Sequence, residues 1–242
     1  MKEKIKSFFA SADRSSSQEL SEKICLISND PVVEGVLSSA GGLLAVLDEN
    51  RQVIALNDAF LRELGIDNAS EALGMRPGEA LSCVHADTGP GGCGTSQHCS
   101  TCGAVLAILS TLSDGKPAEK VCSLAAKRGG TLMDLVLLVK TQQIIVSEKK
   151  FLLIFLQDIT KDYQRASLER VFFHDFNNML TVISGSSELL LELQPSKIVN
   201  NIQIISQRMR KEMELHQSIL SSGSVGYTKE LDNVHLSDIV ST

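Results

Sequence analysis

Two stretches carry residue types whose spacing can do chemistry. The first is Phe172-Phe173-His174-Asp175-Phe176-Asn177-Asn178-Met179-Leu180. A neutral imidazole can attack a phosphoryl group if it is reachable and held in one tautomer. The adjacent carboxylate of Asp175 can accept the other ring proton, as general base and orienter. The Asn178 amide, one turn later, can position a water for the reverse job, hydrolysis of a phosphoryl group on a partner. An ordinary solvated helix face fits the same spacing.

The second stretch is the Cys-rich segment 83–103, with Cys83, Cys93, Cys99 and Cys102. Nine, five and two residues separate them in turn. The last pair is a Cys-x-x-Cys at an expected helix start, where backbone amides favour thiolate. Four thiolates suit a tetrahedral zinc or an iron–sulfur cluster, and His85 or His98 can replace one thiol. Only one close pair is present, so zinc and iron–sulfur stay undecided. A metal-free thiol–disulfide switch at Cys99 and Cys102, or a set of inert buried thiols, fits the same spacing. Cys25 and Cys122 read as core residues.

The elements that must position these groups follow from periodicity. Leu168, Phe172, Phe176, Met179, Ile183, Leu190 and Leu193 recur in threes and fours, with Ser186 in the gap, as the seam of a long helix. With Phe172 at 0° the seam spans about 300° to 40°, and His174 and Asn178 fall at about 200° and 240°, on the outer face. Gln194-Pro195-Ser196 makes a reversal. Ile198, Ile202, Ile205, Met209, Met213, His216 and Leu220 then mark a second seam, closed by Gly223. His216 is expected to be packed. One such hairpin cannot bury its apolar face, so two chains pairing into a four-helix bundle is the expected solution.

Upstream, residues 1–14 read as a short helix, Gln18 to Ser28 as a helix with Leu20, Ile24 and Ile27 on one face, and Asp30-Pro31 as the start of another to Ser39. This region pairs with a second subunit or caps the following sheet. Leu43–Leu47 and Gln52–Leu56 form a hairpin about Asp48-Glu49-Asn50. Asn57-Asp58 caps a helix to Leu64, and a short helix follows Gly74–Glu79. Three strands come next, at 120–126, 131–141 and 150–158, with Gly129-Gly130 between the first two. The class is α+β with a five-stranded antiparallel sheet and short helices, followed by the helical hairpin.

At 242 residues the chain holds one to two domains. A formal charge of −6 gives no basic surface for nucleic acid. No apolar run approaches the roughly 20 residues of a membrane helix, and Met1-Lys2-Glu3-Lys4 lacks a signal-peptide core. A cytoplasmic protein without membrane contact is expected, and six cysteines there point to metal, redox or buried roles.

The segment Phe172 to Leu180 closely resembles the H-box of bacterial two-component sensor histidine kinases. That resemblance implies His174 as the phosphorylated residue, Asp175 as general base and Asn178 as support for phosphatase action on a response regulator receiver domain. Residues 42–160 resemble a PAS sensor domain through Asp48, Asn57, the Gly74-x-x-x-Gly78-Glu79 element and the closing Asp158-Ile159-Thr160. It implies that Asp158-Ile159-Thr160 passes a signal into the next helix. It also leaves room for a cleft ligand, including a haem with His85 as axial ligand; no Asn-Cys-Arg flavin setting is present. The implied organisation is a helical region 1–41, a sensor 42–160, a homodimerising phosphotransfer hairpin 161–225 and the start of a linker 226–242. No Gly-rich ATP-binding boxes follow, so ATP is expected only with a further domain. The function expected is the sensory and phosphoacceptor part of a histidine kinase. A Cys-bound cofactor would report redox state, oxygen or metal. The alternative is a catalytically silent dimeric sensor acting through protein partners.

Overall fold

The computed structural model describes residues 7–194 and 196–223. It divides after Lys161 into two units. In the first, α1 (Ser17–Ser28) and α2 (Pro31–Ser39) precede the hairpin β1 (Leu43–Leu47) and β2 (Val53–Leu56). Then come α3 (Asp58–Leu64), α4 (Pro77–Ala80), α5 (Gly103–Asp114), β3 (Ala118–Arg128), β4 (Thr131–Val146) and β5 (Lys149–Asp158). The second unit holds α6 (Thr160–Leu193), which begins at the boundary, and α7 (Lys197–Gly223).

The strands form one antiparallel sheet in the order β2-β1-β5-β4-β3. Leu44, Ala45, Val46 and Leu47 are all buried, because β1 is covered on both faces. On one face Ala45, Leu47, Phe60, Leu81, Ile108, Val139 and Ile154 form the main core under α3 and α5. On the other, Val46, Ile54, Val146 and Phe151 pack against Ile27 and Val33, with Leu20, Ile24 and Leu37 beside them. The N-terminal helices therefore cap the sheet. Burial of Phe60 or Phe151, each 2% exposed, contributes about 1.5–3 kcal/mol.

Three polar residues fix the joints. The buried Asp48 carboxylate accepts from the N–H groups of Asn50 (2.9 Å) and Gln52 (2.8 Å), from Ser15 Oγ (2.6 Å) and from Lys23 Nζ (3.0 Å). Asn57 caps α3 at Phe60 N (3.1 Å), accepts from Leu44 N and donates to the Ala40 and Gly42 carbonyls. Asp158 accepts from Thr160 N (2.8 Å), and Thr160 Oγ1 accepts from Val136 N (2.9 Å), which ties the end of β5 to β4.

Several expectations need correction. Residues 7–16 are not helical; they run irregularly and pair with the Cys-rich loop through Phe8 N–Thr95 O and Ala10 N–Gly94 O. Residues 1–6 lie outside the described residues, as do Pro195 and the expected linker 226–242. β4 runs on to Val146, because Gln142 and Gln143 break the apolar alternation while their backbones still pair with Leu153 and Leu152. Cys25 is exposed on α1, outside the Leu20–Ile24–Ile27 stripe. His216 is exposed.

In the helical unit the buried line of α6 lies off the expected seam, whereas that of α7 includes Met213 of the expected seam. Leu180 and Ser187 are buried on α6, and Ser206 and Met213 on α7. Gln203 Nε2 on α7 lies 3.5 Å from Glu188 Oε1 on α6. Phe172, Met179, Ile183, Leu190, Ile198, Ile202 and Ile205, the apolar seams read from sequence, remain exposed in the single chain.

Candidate functional site

The phosphoacceptor candidate sits on the fourth and fifth turns past the unit boundary. Phe172 stacks on Phe176 with ring centroids 5.7 Å apart, so consecutive turns of α6 are stiffened beside His174. The His174 side chain is 72% exposed and Asp175 60%. Asp175 Oδ1 lies 3.1 Å from His174 Nδ1. Asn178 Nδ2 lies 3.4 Å from the same nitrogen. Both neighbours therefore address Nδ1, and Nε2 points to neither. With its proton on Nδ1, donated to Asp175, the ring keeps the Nε2 lone pair for attack. In that tautomer Asn178 must offer its carbonyl oxygen, an amide turn of 180°. So the structure brings together the three residues predicted from sequence.

The second candidate lies in the sheet unit. Cys83 follows α4 and pairs with Ala126 in an isolated bridge. Cys93 donates its N–H to Glu79 (3.1 Å), and a Cβ at Gly78 would stand 2.6 Å from its sulfur. Cys99 is buried in a short 3-10 turn, with its sulfur 3.2 Å from Ser96 Oγ. Cys102 is the N-cap residue of α5. Its sulfur lies 3.6 Å from that of Cys122 on β3. Cys93, Cys99 and Cys102 pack with Ala10 and Val105, so the strap 7–16 covers this pocket.

Electrostatics follow from that packing. Burial, with charge on Cys102 and more weakly on Cys99 and Cys83, pushes the Cys93 thiol up to about 12. Burial also raises Cys83. Cys102 falls to about 6, chiefly because Cys122 donates to it, with the Val105 and Ala104 amides of α5 adding to the effect against burial. Cys122 is pushed up as that donor.

Two arginines that sequence reasoning missed are buried beside these sulfurs. Arg76 is 0% exposed and donates to five backbone carbonyls, of Asn50, Gly91, Cys93, Ser11 and Asp13. Burial first, then Arg51 and Arg14, lower it to about 10. Arg51 is 4% exposed, donates to Ser11 O at 2.6 Å and leaves Nε without a partner. Its guanidinium lies against Gly94, and burial lowers its pKa from the ordinary arginine value. No spacing rule pointed to Arg51, Arg76 or Cys122, since each reaches the pocket from a different element.

The donor set fits a thiophilic metal or cluster in kind and number, and the orphaned Arg51 Nε fits a site carrying negative charge. Among the described residues no group of three or more His, Cys, Asp or Glu is placed to hold a metal ion. His85 and His98 stack on one another at 4.1 Å instead. Away from the sulfurs, a cavity of about 500 Å³ lies between α1, α2, β2 and α3, lined by Ile24, Leu37, Ile54, Asn57 and Arg62 among others. Among the described residues no helix is long and apolar enough to cross a membrane.

No protein-family model and no curated protein matches the chain. The solved structures to which the chain is similar include the PAS domain of an HTR-like protein from Haloarcula marismortui, at 18% identity, covering 57% of this chain and 98% of that one, with a TM-score of 0.36. The PAS domain of nitrogen regulation protein NR(II) from Vibrio parahaemolyticus is similar at 14% identity, over 54% and 100% of the two chains, with a TM-score of 0.38. A Rhodobacter sphaeroides LOV protein is similar at 14% identity, over 85% and 99%, with a TM-score of 0.38.

Proposed function

We propose that this chain is the sensory and phosphoacceptor portion of a cytoplasmic two-component histidine kinase. A PAS-type sensor feeds α6, which carries the phosphorylated His174. The observation that carries the reading is the convergence of Asp175 and Asn178 on Nδ1 of an exposed histidine, which leaves Nε2 free. Asp175 holds the Nδ1 proton and stabilises the positive charge that forms on the ring as Nε2 attacks. Asn178, one turn on, is placed to orient a water when a phosphorylated receiver domain docks for hydrolysis. ATP is bound by a further domain.

Dimerisation follows from the exposed apolar seams of α6 and α7, which a second copy would cover in a four-helix bundle. The sensed element is a zinc or iron–sulfur centre on Cys83, Cys93, Cys99 and Cys102, whose thiolate charge Arg51 and Arg76 would offset. When bound, zinc supplies a structural clamp and an iron–sulfur cluster a one-electron redox change. The chain's own part is to supply thiolates, exclude water under the strap 7–16 and tie the loop through Arg76. Loading requires rotation of the cysteine side chains.

His174→Gln tests the reading in cells. Loss of response-regulator output supports it. Retained output would instead make the chain a silent sensor that acts through partners.

A further inference from the structure

We propose that Cys102 and Cys122 form a redox-active thiol pair that closes to an intramolecular disulfide, with low-molecular-weight disulfides as the oxidant class. The two sulfurs are 3.6 Å apart. A disulfide bond is about 2.05 Å long, so a relative movement of about 1.5 Å closes it.

The backbone builds this proximity. Cys102 caps α5, and the next residue, Gly103, lies flat on β3. Any Cβ there would strike the Val121 carbonyl and stand 3.2 Å from Cys122 N. The helix start is thus held against the strand at the level of Cys122. The sequence had pointed to Cys99 as the partner of Cys102, but Cys99 turns to Ser96 and packs against Ala10 and Val105.

The two sulfurs have different access. Cys102 is half-buried and Cys122 is 1% exposed. Cys102 is therefore the sulfur that meets the oxidant, and Cys122 the one that resolves. The Cys102 thiolate attacks one sulfur of the small disulfide; that S–S bond breaks and one thiolate leaves. Cys122 gives up its proton and attacks the Cys102 sulfur, and the second small thiol departs. The protein loses two electrons and two protons, and the small disulfide gains them as two thiols. The pair stands without the metal reading, although a disulfide at Cys102 would exclude a metal from that ligand.

Peptide mapping tests it. The full chain is stripped of metal by a chelator, reduced, desalted and exposed to oxidised glutathione. Trypsin cuts after Arg62, Lys120 and Lys127, and spares Arg76 and Lys116, each of which precedes a proline. Cys122 then lies alone in peptide 121–127, and Cys83, Cys93, Cys99 and Cys102 share peptide 63–120. The expected product joins the two peptides, with fragmentation placing the bond at Cys102. Cys102→Ser should lose that product and Cys25→Ser should keep it. A bond confined to 63–120, a bond from Cys122 to another cysteine, or a free Cys122 in the unmutated chain overturns the proposal. None of these outcomes bears on His174, so failure here is distinct from failure of the kinase reading.

Discussion

At Asp175 and Asn178 the geometry separates two roles. Asp175→Asn keeps a hydrogen-bond partner for the ring and loses the charge that stabilises the proton on Nδ1. We expect phosphorylation of His174 to slow by roughly 100-fold, within the range of general-base contributions. Asn178→Ala should leave that rate within about threefold and remove most of the dephosphorylation of a receiver domain, the step that needs an oriented water. Paired rate measurements on the two variants check the split; equal losses in both reactions would assign Asn178 to folding instead. Gly103 carries a stability prediction. Gly103→Ala drives a methyl into the Val121 carbonyl, and overpacking of this kind costs about 1–3 kcal/mol. Chemical denaturation would show it as a lower midpoint. The His174 group was legible in the sequence because all three residues sit within one helical turn or so, where spacing fixes geometry. Cys122 was not legible as a partner of Cys102, because strand-to-helix proximity comes from the fold and not from spacing.

At the scale of elements, the strap and the Cys-rich loop behave as one piece. Arg76 joins Ser11 and Asp13 of the strap, Asn50 of the β1–β2 turn, and Gly91 and Cys93 of the loop. Arg76→Met leaves these buried carbonyls short of donors, each worth about 1 kcal/mol or more. We expect a loss of about 3 kcal/mol and faster hydrogen exchange at Phe8 and Ala10, whose N–H groups pair with the loop. Unchanged exchange there would show that the strap is held by something else. The strap was misread as helix because its composition permits one, and only the loop it covers decides otherwise. The helical hairpin was legible in type and length, but the buried line of α6 was not, while on α7 the expected seam residue Met213 is buried. Periodicity locates the most apolar stripe, whereas the chain's own α6–α7 contact uses the neighbouring stripe with Leu180 and Ser187.

For the whole molecule, that displaced stripe is the strongest argument for a second copy. Phe172, Ile183, Ile198 and Ile205 stand 58%, 43%, 73% and 56% exposed. Covering four such side chains at about 1.5–3 kcal/mol each gives association a large apolar term, before the entropic cost of pairing. Ile183→Glu with Ile205→Glu should convert a dimer to a monomer in sedimentation equilibrium, with the sheet's circular dichroism unchanged. A monomer before mutation would remove the bundle from the account. Metal analysis bears on the sensor half in the same way. About one zinc per chain, or iron with sulfide, lost in Cys99→Ser, supports the thiolate centre, and a metal-free chain with four titratable thiols in 83–102 contradicts it.

The central claim is that His174 accepts a phosphoryl group, and one measurement addresses it directly. The purified chain is incubated with ATP and a histidine-kinase catalytic domain supplied in trans, and the label is tested for stability and mapped. The account predicts an acid-labile, base-stable phosphate on His174 that is absent from His174→Gln. Phosphate on another residue, or label that persists in His174→Gln, would contradict it.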